Sequence, residues 1–236
     1  MDQTPTFLPL SWHTDGTPIF ERGDLIRQSR PLAPYEQNEA VIYDDLILPE
    51  HKHLRPELRL NLIVIQSSAG TLAHHGYIGQ SEPDPRHASV YPRLIQALDS
   101  TCRVILQRHN EPDCLNDFIL FTLQPLQLIA VPPTYQTVLT NSAESSPARF
   151  LELQAREESR GLDLLKQQAG PGYHLKTAGG FQANEKYREL PVPRIRPGLD
   201  DFRFLQRRPI YEMLTAYPKG FDFIDPPRPE FFTGAI

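Results

Sequence analysis

The side chains in this chain that could ligate a metal or move a proton fall in a few short stretches. EHKH (50–53) holds His51 and His53 two apart, a spacing that puts both imidazoles on one side of an extended strand. It stands in a charged, proline-flanked stretch and reads as a solvated connector. His74 and His75 are adjacent, and adjacent strand residues face opposite sides, so they share an ion only across a bulge. A metal site here would gather His75, Glu82 and His87. The alternative, which the surroundings favour, leaves His74 and His87 on a loop or rim and Glu82 in the surface loop SEPDP. Ser67-Ser68 lacks the strand–turn–helix setting of a nucleophilic serine. Cys102 opens an apolar run, and Cys114 has no neighbouring base or helix start to lower its pKa. Arg93, Arg103 and Arg149 lie in apolar runs. Inside a small barrel their guanidinium forks would clamp phosphate, but the expectation is ordinary charge on an outer face. Glu152 could carry a proton if it faces inward.

These side chains need a frame, and composition limits which frame it is. The chain has 236 residues and a formal net charge of −5, with no basic run longer than pairs such as Arg207-Arg208. That excludes a nucleic-acid footprint, which needs concentrated positive charge. Two cysteines are too few for a disulfide framework. MDQTPTFLPLSWH has no basic region followed by an apolar core, and no apolar run approaches the ~18 residues of a membrane span. The expected setting is a soluble one in the reducing cytoplasm, without membrane or nucleic-acid partners. The 24 prolines gather at 5–34, 83–92 and 191–229, which predicts extended arms around a compact centre.

From about residue 60, short apolar runs alternate with turn residues: LNLIVI, SVYPRLIQAL (89–98), CRVILQR (102–108), FILFTL (118–123), LQLIAV (126–131), QTVLT (136–140) and RFLELQ (149–154). Their length and content predict strands of a sandwich or barrel. Helical patterns come later, at GLDLLKQQAG (161–170) and PIYEMLTAYP (209–218), the second with Pro at its start. The aromatic tail FDFIDPPRPEFF has no period and reads either as a strap across the domain or a partner subunit, or as a partly ordered terminus.

Several segments, taken in order, resemble the cupin-type, archaeal-style glucose-6-phosphate isomerases. LRLNLIVIQSSAGTLAHHGYIG (58–79) resembles that family's strand, loop and histidine-bearing strand. ASVYPRLIQAL resembles its Ala-Glu-Val-Tyr strand, and FTLQPLQLIAVPPTYQTVLTN (121–141) its hairpin and Val-Pro-Pro-aromatic segment. RFLELQ, GLDLLKQQAGPGYHL and NEKY follow in the family's order. The resemblance implies an all-β cupin double-stranded β-helix, a jelly-roll barrel, with an N-terminal extension and a C-terminal helix plus strap. The expected division is an arm at 1–40, the barrel at 41–187 and a Pro/aromatic-rich extension at 188–236. The resemblance also implies a homodimer.

The family interconverts an aldose and a ketose phosphate through an enediol, with a divalent metal held by three histidines and a glutamate. In this sequence those four positions fall on Gly76, Ile78, Ser89 and Thr137. Slipping the register by one would send every ligand to the opposite face. The resemblance therefore implies a barrel that has lost its metal ligands and needs no cofactor. If a metal is present, it is a single divalent transition ion on His75, Glu82 and His87. Barrel-pocket positions by the same resemblance are Ser67, Ser68, Thr71, Tyr77, Ser89 and Thr137, with Glu152 and Tyr91 as catalytic candidates. The expected function is a metal-free binding or pseudoenzyme cupin for a sugar phosphate or another small anion. One alternative is an active sugar-phosphate isomerase with a rebuilt or metal-independent site, and another is an interaction scaffold acting through the C-terminal region.

Overall fold

The computed structural model describes residues 10–12, 18–20, 30–31, 40–43, 45–47, 51–65, 67, 74–78, 91–141, 143, 146–156, 165, 167–202 and 205–232. The centre of the chain forms eight strands: β5 (Leu58–Ile65), β6 (His74–Ile78), β7 (Arg93–Ala97), β8 (Cys102–Glu111), β9 (Cys114–Leu123), β10 (Leu128–Val131), β11 (Gln136–Asn141) and β12 (Ala148–Ala155). They assort into two facing sheets in the orders β10-β7-β12-β5 and β9-β8-β11-β6. From β5 to β12 the chain crosses between the sheets at every connection except the β8–β9 hairpin. This strand order is a jelly roll, and the fold is the expected all-β jelly-roll barrel. β4 (Ala40–Tyr43) and β3 (Arg30–Pro31) extend the first sheet beyond β5, and β15 (Arg194–Pro197) extends the second by pairing parallel to β9. A separate pair, β1 (Leu10–Trp12) and β2 (Pro18–Phe20), lies near the N-terminus. No helix among the described residues is long and apolar enough to cross a membrane.

Strand alternation divides the side chains into three apolar layers. Between the sheets lie Ile63 and Ile65 of β5, Ile95 of β7, Val104 and Leu106 of β8, Phe121 of β9, Leu139 of β11 and Phe150 of β12. The other face of β5 carries Leu58, Leu60, Leu62 and Val64, which belong to a second cluster outside the barrel with Leu94, Leu151 and Leu153. The C-terminal segment roofs that cluster with Ile210, Met213 and Leu214 of α1 (Ile210–Ala216), then Phe221, Phe223, Ile224 and Phe232. The aromatic tail is thus a strap packed on the barrel. Each Leu or Phe fully withdrawn from water contributes about 1.5–3 kcal/mol. A third cluster covers the second sheet, where Ile105, Phe118, Leu120 and Val138 meet Leu165, Leu175 and Tyr187.

Buried amides fasten both outer layers. Gln96, fully buried on the outer face of β7, accepts from the Ile210 N–H (2.9 Å) and donates to the carbonyls of Leu126 (3.0 Å) and Arg208 (2.8 Å). It thereby satisfies an N–H that α1 leaves unpaired at its start. Gln107 on β8 donates to Gln136 Oε1 (3.0 Å) and Tyr187 Oη (3.2 Å) and accepts from the Gly172 N–H (3.0 Å). Gly172 fits there because a Cβ would run into Leu115 and Leu190. The segment holding Gly172 and Tyr187 includes the hairpin β13 (Tyr173–Leu175) and β14 (Phe181–Ala183). Of the helix predicted at 161–170, Leu165 and Gln167 are helical and 168–170 form a turn, while 161–164 and 166 lie outside the described residues.

Candidate functional site: the polar end of the barrel

The barrel interior changes character along its length. On β7 the inward positions are Arg93, Ile95 and Ala97, and on β12 they are Ala148, Phe150, Glu152 and Gln154. On β5 they are Arg59, Asn61, Ile63 and Ile65. The register aligns these strands so that Glu152 lies beside both Ile95 and Asn61. Every polar residue of the three therefore falls at the same end. Thr137 of β11 faces that end from the opposite sheet.

Arg93 spans the gap between the sheets. Its guanidinium donates to Glu152 Oε1 (3.2 Å) through one terminal nitrogen and to Thr137 Oγ1 (3.0 Å) through the other. Asn61 Nδ2 donates to the second oxygen of Glu152 (3.0 Å), and Asn61 Oδ1 accepts from the Asp45 N–H (3.2 Å). The Gln154 amide is oriented by its neighbours, its oxygen accepting from Arg59 Nε (2.8 Å) and Nη2 (2.9 Å) and from Asn61 Nδ2 (3.1 Å). Asn61, Arg93, Thr137, Glu152 and Gln154 are all fully buried. The Nε of Arg93 has no hydrogen-bond partner among the described residues. A guanidinium here contradicts the expectation of outer-face charge for Arg93. Arg149, on the outer face, pairs with Asp99 (2.5 Å).

One inner-face step further along β8 and β9 come Arg108 and Asp117, which are register partners. Tyr135, just before β11, donates to Asp117 Oδ2 (2.6 Å), and Arg194 grips the same carboxylate at 3.2 and 2.6 Å. The Arg108 guanidinium lies 5.3 Å from the centre of the Tyr135 ring. Burial, and then the hydrogen bond to Asp117, push the Tyr135 phenol up to about 12. This places the VPPTYQTVLTN stretch on the rim of the polar end.

The candidates named from sequence are distributed unevenly around this centre. Glu152 faces inward and is held by Arg93 and Asn61. Tyr91 packs instead against the apolar cluster beneath the C-terminal strap. Ser67 is half-buried. In β6, Gly76 and Ile78 are the register partners of Leu139 and Thr137, Tyr77 of Val138 and His75 of Thr140. Ser68, Thr71, Glu82, His87 and Ser89 lie outside the described residues. His51 of the EHKH stretch bonds through Nδ1 to Tyr211 Oη (2.7 Å) and so ties the connector to α1.

Among the described residues, the donor set at the polar end does not suit a divalent transition metal. Gly76 and Ile78 offer no side-chain ligand, and Thr137 presents a neutral hydroxyl that already accepts from a cation. Elsewhere, Glu111, Asp113 and Cys114 bring potential ligand atoms within 4.8 Å of one another. Arg188 fills that cluster, donating to Glu111 (2.5 Å) and Cys114 Sγ (2.8 Å). Burial leads the influences that raise the Cys114 thiol pKa.

No family model matches the sequence, and no curated protein is significantly similar to it. Among solved structures, vicilin from hazelnut (Corylus avellana) is similar at a TM-score of 0.36 and 12% identity. The match covers 57% of this chain and 32% of that one, so the chain spans about a third of the vicilin's length. A cupin 2 conserved barrel domain protein from Rhodopseudomonas palustris is similar at a TM-score of 0.36 and 7% identity, over 61% of this chain and 80% of that one. The assignment of the fold rests on the strand order described above.

Proposed function

We propose that this chain is a metal-independent binding cupin that takes a small anion at the polar end of its barrel. In this reading the Arg93 guanidinium supplies the positive charge that a metal would otherwise bring. The observation that carries the reading is the posture of Arg93: fully buried, fixed at both terminal nitrogens, and with Nε unpartnered among the described residues. A buried N–H without an acceptor costs about 1–3 kcal/mol, and an anion would recover that cost. The Asp117 carboxylate beyond Arg93 is already engaged by Arg194. Thr137 accepts from Arg93 and retains its own O–H as a donor. Oxyanions such as phosphate match this set of donors.

An active isomerase needs a carboxylate available to take a proton from a sugar carbon. Glu152 is bound instead to Arg93 and Asn61, which makes it the partner that holds the guanidinium in place. The reading is tested by thermal denaturation of chelator-stripped protein with inorganic phosphate and with glucose 6-phosphate. A ligand at 100 times its Kd stabilises the native state by about 2.7 kcal/mol, a readily measured rise in Tm. Arg93→Lys keeps the charge but loses the fork, and should lose most of that rise. An unchanged Tm with every anion, or an equal rise in Arg93→Lys, contradicts the proposal. Conversion of glucose 6-phosphate to fructose 6-phosphate by the stripped protein would establish the isomerase alternative.

A further inference from the structure

A second site lies on the far side of the first sheet, in the C-terminal roof. Arg208, Met213, Ala216, Tyr217, Pro218, Lys219 and Gly220 line a cleft of about 770 Å³. That volume and a mainly apolar lining with a few polar groups are typical of small-molecule sites. Buried Met213 and exposed Ala216 belong to α1, and Tyr217, 57% exposed, stands where the helix ends.

The walls are fixed from beneath. The Arg208 carbonyl accepts from buried Gln96 (2.8 Å), and the Pro218 carbonyl accepts from Arg55 (2.8 Å), itself buried. The turn after α1 is closed by Gly220 N–H to the Tyr217 carbonyl (2.9 Å). A cleft held this way keeps its shape without a ligand, which reduces the ordering cost of binding.

The charges around it identify the occupant. Of the carboxylates around it, Asp200 is used by Arg207 (2.6 Å) and Asp222 by Arg55 (2.8 Å), while Glu212, exposed on α1, makes no ion pair among the described residues. Arg208 and Lys219 make no ion pair among the described residues, in a chain whose net charge is −5. Two cations with no ion pair among the described residues, beside an apolar trough and an exposed phenol ring, complement a flat apolar body with one anionic group. We infer that the cleft binds a small aromatic or aliphatic carboxylate, its apolar part on Met213 and Tyr217 and its charge between Arg208 and Lys219. This site is independent of the anion proposed for the barrel.

Calorimetric titration of the full chain with naphthalene-2-carboxylate, and with its uncharged amide, tests the inference. The carboxylate should bind more tightly than the amide. An Arg208→Gln, Lys219→Gln double variant changes exposed side chains and should melt like the parent, yet bind the carboxylate about tenfold more weakly, as expected for lost charge-assisted bonds. Tyr217→Ala should weaken both probes alike. The inference is overturned if neither probe binds, if the amide binds as tightly as the carboxylate, or if the double variant binds the carboxylate unchanged. A loss of carboxylate binding in Arg93→Lys would overturn it too, by moving the probe into the barrel.

Discussion

The two ends of the barrel interior are built from the same strands in opposite styles. At one end the apolar side chains of Ile65, Ala97, Leu123, Ala148 and Phe150 pack together, with Asn141 at the margin donating to the Ile65 carbonyl (3.0 Å). At the other, Arg93, Glu152, Asn61, Thr137 and Gln154 are as deeply buried, each tied to another by hydrogen bonds. The apolar end is what any jelly roll needs in order to close. The polar end costs desolvation that a set of leucines would not, and it leaves one buried Arg93 nitrogen unpartnered among the described residues. The first end accounts for the fold. The second has a chemistry that the fold does not require, which is why the proposed function is placed there.

The comparison breaks most visibly when each end is damaged singly. Glu152→Leu leaves the Arg93 charge buried without its carboxylate and should cost about 3–5 kcal/mol in urea denaturation. Phe150→Ala opens a cavity at the other end and should also cost about 3–5 kcal/mol. The ends differ in how they are rescued. Changing Arg93 and Glu152 together to Leu should recover most of the loss at the polar end, whereas the cavity left by Phe150 has no charge to remove. If the double variant is no more stable than Glu152→Leu, the two residues do not act as a pair. Gln107→Leu provides a control outside the barrel. It unfastens Gly172, Gln136 and Tyr187 and should cost about 1–3 kcal/mol without altering anion binding.

The smallest effect is seen only at high pH. The folded Tyr135 phenol has its pKa raised from 10.0 to about 12, so folding favours its protonated form. That contribution is complete below about pH 10 and fades as the pH climbs toward 12. Wild-type stability should fall across that window more steeply than that of Tyr135→Phe. Parallel curves would show that the bond to Asp117 does not matter in this way.

Much of the fold was legible in the sequence because strand length, β-branched content and turn residues are local properties. The runs at 102–108, 118–123, 126–131, 136–140 and 149–154 all emerge as strands, and α1 forms as expected, with Pro209 at its N-cap, one residue before the first helical position. The candidate site was legible only in part. Thr137 was identified through spacing, and Glu152 conditionally on facing inward. Arg93 is a phosphate clamp by its chemistry but is expected on an outer face, and nothing marks Asn61 or Arg59 as its inward neighbours; LRLNLIVI shows why. Its leucines alternate with Arg59 and Asn61, a pattern that ordinarily puts leucine inside and the polar residues in water. Here the leucine face lies outside the barrel because the C-terminal strap, some 150 residues later, covers it. Which face of a strand is the interior depends on what distant segments cover, and alternation alone carries no information about that.

The central claim is that the charge at the polar end belongs to a guanidinium rather than to a metal ion. The most direct test is elemental mass spectrometry of tag-free protein purified without chelators or nickel resin. The account predicts transition-metal content far below one ion per chain. A stoichiometric divalent metal would contradict it and direct attention to His75, Glu82 and His87.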